Sequence, residues 1–295
     1  MTDLHVPDDW RAAIDRILCE SRTRVAIIGP TDTGKSSFAR ALLAAAPPFE
    51  LIDADPGQKL VGPPGTVSLG RLGARGLELG GFVFIGSTSA SNVFLIARAC
   101  EALAAASPRF VANTSGFVEK LGARLQAATI AALDADLVVA IGEESALAPI
   151  LEKHADRPVV RLEPSPAAAR KTAAMRAGLR EASFASALAG AESLDLAGIA
   201  FEPAPPVEIG GRHPVCSLAD AEGTDMRLGI VEAAENGRAR VLAPAAERPV
   251  RTVRLGKMWA QRREDGWALL DTLRPSWVHD ERGGGASERD AGRLV

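Results

Sequence analysis

Residues Gly29-Pro30-Thr31-Asp32-Thr33-Gly34-Lys35-Ser36 fit the spacing GxxxxGK[ST], and Ser37 continues the run. Glycines at those positions let the backbone curl so that successive N–H groups turn toward one anion, and a helix starting near Lys35 adds its positive end. A lysine placed there reaches the β- and γ-phosphates of a nucleoside triphosphate, and the hydroxyl after it binds Mg²⁺. A chance glycine-rich turn is the alternative. The flanking residues argue against it, because an aliphatic run, RVAIIG, precedes the motif and a helical pattern, KSSFARALLAAA, follows it. That is the strand–loop–helix setting the chemistry requires.

A second chemical group stands at Asp53-Ala54-Asp55-Pro56-Gly57-Gln58. A carboxylate at the C-terminal end of a strand beside a phosphate loop holds the metal or polarises a nucleophile. Pro56 and Gly57 break the strand, which leaves Asp55 at its rim. Asp53 and Asp55 are both candidates, with Ser36, for the Mg²⁺ site, and which of them serves as base stays open. A GTP-dependent switch would carry N-K-x-D after a later strand. Here the candidate strand DLVVAIG runs into Glu143-Glu144-Ser145, and Asp55 and Gly57 are too close for DxxG.

Short aliphatic runs at 24–29, 49–55, 109–115, 136–142 and 158–164 alternate with helical patterns at 35–46, 92–107, 118–133, 145–155 and 166–190. TVSLG (66–70) and FVFIGS (82–87) read as further short strands, and Trp10, Ile14 and Leu18 mark an N-terminal helix. Such alternation predicts an α/β fold, a P-loop NTPase with a mostly parallel sheet covered by helices. After a proline-rich stretch at 201–208, turn-separated alternating runs predict a small C-terminal antiparallel β domain. The expected organisation is an N-terminal helix (1–23), a P-loop domain (24–200), a β domain (201–275) and a flexible tail (276–295).

The chain has 295 residues, 47% of them apolar and 24% charged, with a net charge of -3 and no tyrosine. That balance excludes a uniformly basic surface for bulk nucleic-acid binding but not a local basic groove. Two local clusters exist: Arg170, Lys171, Arg176 and Arg180, and then Arg251, Arg254, Lys257, Arg262 and Arg263. The three cysteines, Cys19, Cys100 and Cys216, lack disulfide or zinc spacing. They suit free thiols in a reducing compartment. No apolar run is long enough to span a bilayer, and the N-terminus carries no apolar signal core, so a cytoplasmic location without membrane association is expected.

Four separated stretches resemble one family, the polynucleotide 5′-hydroxyl kinases of pre-mRNA cleavage and ribosomal-RNA processing and their archaeal relatives. They are the P-loop with its Pro30-Thr31-Asp32, the D-x-D-x-G-Q run ending at Gln58, the Pro64-Gly65-Thr66 "clasp", and Asn113-Thr114-Ser115-Gly116-Phe117-Val118. Arg176-Ala177-Gly178-Leu179-Arg180 is similar to the family's R-x-x-x-R lid, and Leu228-Gly229-Ile230-Val231 to its β domain. The resemblance implies ATP, or alternatively GTP, with Mg²⁺ as cofactors and the 5′-hydroxyl end of RNA or DNA as acceptor. It implies catalytic roles for Lys35, Asp55, Arg176 and Arg180, with Asp32 or Asp53 supporting the metal through water. It implies substrate contacts from Gln58, Pro64, Gly65, Thr66, Thr114, Gly116 and Phe117. Departures exist: Phe117 replaces the family's stacking tryptophan, Glu119-Lys120 replaces the commoner Lys-Gly, and one helix stands in place of the eukaryotic members' N-terminal domain. A regulatory ATP-binding scaffold and a kinase for a small hydroxyl compound remain the alternatives. The sequence names no protein partner.

Overall fold

The computed structural model describes residues 5–46, 48–203, 211–235, 238–264 and 266–270. Its first layer is a seven-stranded sheet. Strands β1 (Arg24–Ile28), β2 (Glu50–Asp53), β5 (Phe110–Asn113), β6 (Leu137–Ile141) and β7 (Val159–Leu162) run parallel, and β3 (Thr66–Gly73) and β4 (Gly76–Phe84) extend it antiparallel. The order is β4-β3-β2-β5-β1-β6-β7, so the strand feeding the P-loop is flanked by β5 and β6. Its residues alternate between two cores. Ala26 and Ile28 face the cluster under α3 (Val93–Ala106), α4 (Leu121–Ala132) and α5 (Glu144–Leu151), whereas Val25 and Ile27 face the cluster under α1 (Asp8–Cys19) and α2 (Lys35–Ala45). Burial on both faces explains why this strand reads as an unbroken aliphatic run.

The two short strands expected at 66–70 and 82–87 are one longer hairpin, turned at Gly73–Gly76. Exposed polar and glycine positions at the tip hide its length from an apolar-run reading. The helix expected over 166–190 is shorter, α6 (Ala173–Ala187). Thr172 caps it by accepting from the Met175 N–H, and just ahead of it the Lys171 N–H donates to Asp32 on the P-loop.

The second sheet runs β14-β13-β10-β11-β12-β8, with β9 pairing β13 in parallel. Its strands are β8 (Glu192–Ala197), β9 (Ala200–Glu202), β10 (Arg212–Ala219), β11 (Asp225–Glu235), β12 (Arg238–Ala243), β13 (Thr252–Arg263) and β14 (Gly266–Leu270). The sheet thus starts upstream of the boundary expected at 201, because Ser193 to Ala197 pair with β12 residues. The tail from 276 and most of the proline-rich stretch lie outside the described residues.

Contacts among the described residues tie the second sheet to the first layer. Asp225 accepts from the Phe84 N–H at 2.8 Å, the Lys257 N–H donates to Gly86 O at 2.6 Å, and Phe184 of α6 is buried among Val215, Leu228, Ile230 and Met258. The basic cluster at 251–263 is partly absorbed in this scaffold: Arg254 pairs with Glu202 and Asp225, and Arg262 lies over Trp267. The cysteines are free, with Cys100 and Cys216 buried. Among the described residues no helix is long and apolar enough to cross a membrane.

Candidate functional site

The loop between β1 and α2 is held from below by α1. Trp10 is fully buried, donates from Nε1 to Glu163 O at 3.1 Å and meets Phe38 edge-to-face at 5.5 Å. Its ring lies against Gly34, where a Cβ would fall 2.6 Å away, and Gly34 has φ +98°. Only glycine satisfies both conditions. Gly34 precedes α2 with no side chain capping the helix, so the helix start is left for an anion.

Lys35 is buried and donates from Nζ to Gly29 O at 2.8 Å and Pro30 O at 2.7 Å. The ammonium is thus held across the mouth of its own loop. Burial lowers its pKa to about 8, against the pull of the Asp55 and Asp32 carboxylates, while Lys171 pushes it further down. A desolvated cation with two carboxylates nearby gains most when a polyphosphate arrives.

The two carboxylates of the second motif have separate jobs. Asp53 is fully buried: Oδ1 accepts from Asn113 Nδ2 at 3.1 Å, and Oδ2 from the Leu60 N–H at 2.6 Å and the Val61 N–H at 3.3 Å, with Lys59 Nζ 3.4 Å away. Its two oxygens are thus engaged by β5 and by the loop that follows. Asp55 is half-buried, and Oδ1 accepts the Gly57 and Gln58 N–H groups at 2.9 and 3.0 Å. Its pKa is raised, first by burial and then by the Asp53 carboxylate, against the backbone N–H groups and Lys59. A carboxylate anchored through one oxygen with a raised pKa suits proton acceptance.

Asp32, also expected to support the metal through water, pairs with the start of α6. Its Oδ2 accepts from Arg176 at 2.6 Å and from the Lys171 N–H at 3.1 Å, and Lys171 Nζ lies 3.8 Å from Oδ1. Arg176 therefore already sits against the P-loop, and Arg180 follows one helical turn later on α6. Gln58 Nε2 donates to Arg176 O at 3.3 Å, while its Oε1 is buried with no partner.

The expected substrate contacts divide. Phe117 is 43% exposed and Gly116 packs on Thr31; both line a cleft of 630 Å³ with Pro30, Asp32, Arg170 and Arg176. Thr114 does not reach it, being buried and donating to Ile27 O at 2.7 Å. Pro64, Gly65 and Thr66 are buried too. Thr66 donates to Pro63 O at 2.7 Å, and Gly65 accepts from both Ile85 and Gly86 N–H groups. The clasp is a joint between sheets, where a Cβ on Gly65 would meet Met258 Sδ at 2.3 Å. Ser36 and Ser37 are half-buried at the start of α2.

Sequence reasoning missed Trp10 as the support of Gly34, Lys59 as the buried cation of the Asp53 loop, and Asp32 as the partner of Arg176. Only Lys59, beside two carboxylates, left a legible signal. Among the described residues no three His, Cys, Asp or Glu side chains form a metal cluster. Magnesium beside a polyphosphate needs only one or two protein oxygens, and Ser36 with Asp55 fits that demand.

A P-loop between the central strand and the following helix, in a sheet of this order, defines a P-loop nucleotide-binding protein with an appended β sheet. The chain belongs to the family of the mRNA cleavage and polyadenylation factor CLP1 P-loop, whose model matches residues 29–189. It is 29% identical over 169 residues to a polyribonucleotide 5′-hydroxyl-kinase of Pyrococcus furiosus, covering 52% of this chain and 48% of that one. It is 30% identical over 175 residues to the Pyrococcus abyssi protein of the same description, covering 54% and 49%. A CLP1 homologue of Dictyostelium discoideum is 32% identical over 165 residues, covering 46% and 35%. The chain thus spans half the length, or less, of these relatives. Clp1p in the wild-type Clp1p–Pcf11p complex shares the fold, with a TM-score of 0.62 at 15% identity over 83% of this chain and 76% of that one.

Proposed function

We propose that the protein transfers the γ-phosphate of ATP to the 5′-hydroxyl end of a polynucleotide, RNA in the first instance. One observation carries this reading: a single cleft joins the P-loop residue Asp32, the lid cation Arg176 and the exposed ring of Phe117. A P-loop with a lid serves any phosphoryl transfer, but an exposed aromatic face beside it suits a nucleobase. The relatives that carry the name polyribonucleotide 5′-hydroxyl-kinase support the same acceptor.

The chain's own groups act by position and charge. Triphosphate entering the loop displaces the Lys35 ammonium from Gly29 O and Pro30 O and takes it as a partner. Arg176 exchanges Asp32 for the γ-phosphoryl oxygens, which strengthens as charge develops there. Asp55 orients the incoming hydroxyl and accepts its proton. Magnesium held by Ser36 and Asp55 would neutralise charge on the β- and γ-oxygens.

The test is transfer from γ-labelled ATP to 5′-hydroxyl oligoribonucleotides, oligodeoxyribonucleotides and mononucleosides. Label on oligonucleotides and not on nucleosides is the expected result. ATP bound without transfer to any acceptor would overturn the proposal in favour of a regulatory nucleotide-binding role.

A further inference from the structure

The wall formed by Val118 and Glu119 has a cleft on each side. One is the acceptor cleft with Phe117 and Asp32; the other, of 850 Å³, lies between the start of α4 and α5 and contains no P-loop residue. Its floor is apolar, with Leu121, Ala146 and Pro149, and its rim carries Lys120, Arg124 and Lys153. Lys120 is the residue before α4, Arg124 lies on the first turn of that helix, and Lys153 sits on the 3-10 turn after α5. Two separate pieces of chain thus bring three cations to one trough, and all three residues are exposed.

Lys120, Arg124 and Lys153 make no ion pair among the described residues, nor does Arg170 in the adjoining cleft, whereas Arg157 pairs with Asp134, Arg161 with Glu144 and Arg176 with Asp32. The one carboxylate lining the trough is Glu119, on the wall shared with the acceptor cleft. In a chain of net charge -3, an unneutralised trio beside a cleft is a local attraction for a polyanion.

We propose that this second cleft seats the phosphodiesters that follow the terminal nucleotide of a single strand, so that the protein prefers chain ends over mononucleotides. The inference rests on the acceptor reading of the Phe117 cleft. A strand whose first base stacks on Phe117 passes over Val118 and Glu119 and brings its next phosphates to Lys120, Arg124 and Lys153. Apolar side chains on the floor offer a surface for the sugar edges, and no base-reading group is needed, so the site is indifferent to sequence.

The experiment measures binding and transfer separately on the full chain. Anisotropy gives the affinity for labelled 5′-hydroxyl oligoribonucleotides of one, two, four and eight nucleotides at several salt concentrations, and γ-labelled ATP gives transfer to the same series. Affinity should rise from one to four nucleotides in the wild type. The combined variant Lys120→Gln, Arg124→Gln, Lys153→Gln should lose that rise, binding the tetramer on the order of tenfold more weakly at low salt, with a log–log salt slope smaller by about 2. ATP affinity, melting temperature and mononucleotide binding should be unchanged, and Glu119→Gln should tighten the tetramer. Replacing the three by the other basic residue (Lys→Arg, Arg→Lys) should restore length dependence. Length dependence that survives the triple variant would overturn the proposal, as would equal loss at every length or no gain with length in the wild type. Preference for an acidic peptide over every oligonucleotide would also overturn it. Oligonucleotide binding without any transfer would instead sink the kinase reading and leave the cleft assignment standing.

Discussion

The P-loop and the clasp are written in the same local grammar and end in opposite roles. Both are short glycine- and proline-containing turns beside strands of the first sheet, and both hold glycine at positive φ, Gly34 at +98° and Gly65 at +73°. The P-loop has α1 beneath it, and its Pro30, Thr31 and Asp32 line a cleft, while Lys35 stays buried against Gly29 O and Pro30 O. The clasp has the second sheet across from it, and Met258 fills the space that a ligand would need. A glycine turn becomes a binding site or a structural joint according to what the tertiary fold places opposite.

Lys35→Ala sharpens the comparison most. Transfer should fall by at least about 10³-fold, because a cation aimed at developing phosphoryl charge is lost from a dehydrated site. Melting should change little, since Lys35 contributes a desolvated charge and not core packing. A retained turnover measured with γ-labelled ATP would remove the P-loop from the chemistry. Arg176→Ala should cut turnover on the order of 10³-fold with near-normal ATP affinity, which equilibrium nucleotide binding beside steady-state rates will show. Equal rates in wild type and variant would return α6 to a structural role.

Gly65→Ala tests the other half. The added methyl meets Met258 and an unfavourable backbone, costing roughly 2–4 kcal/mol of stability by chemical denaturation, with Met258→Ala recovering part of it in a double-mutant cycle. ATP affinity of the folded fraction should be unchanged. A stable Gly65→Ala protein that loses oligonucleotide binding would make the clasp a substrate contact after all.

The lowered pKa of Lys35, about 8, gives two opposite pH trends. Above pH 8 the free protein loses the proton that ATP needs, so kcat/KM for ATP falls as pH rises while kcat, read on the complex whose phosphates restore the charge, holds. The sign for stability is reversed. Between the folded value and the ordinary lysine value of roughly 10.4 the unfolded chain binds more protons, so this group's contribution to stability rises with pH. Comparing wild type with Lys35→Met isolates both trends, and parallel curves for the two proteins would show that another group titrates.

The smallest effect belongs to Phe117→Ala, which should weaken oligonucleotide binding by about 1–3 kcal/mol while leaving melting and ATP affinity in place. The ring's exposure removes the reading in which it packs in the core. A fall of several degrees in melting temperature with unchanged affinity would reinstate that reading.

The sequence by itself determined the parallel core, the P-loop with its lysine and the carboxylate pair, because each is written in contiguous residues: aliphatic runs for strands buried on both faces, fixed spacing for a loop that closes on one anion. It did not show the contacts that the clasp, Thr114, Asp53 and Asp32 make, nor that the second sheet begins with β8 ahead of 201. Those depended on what approaches from far along the chain. Met258 fills the clasp, Ile27 O takes the Thr114 hydroxyl, Lys59 and Asn113 occupy Asp53, and Arg176 occupies Asp32. Local spacing fixes what a turn or carboxylate is able to bind. Only the tertiary structure decided which of them already had a partner, because a buried polar group takes the nearest donor that folding brings to it.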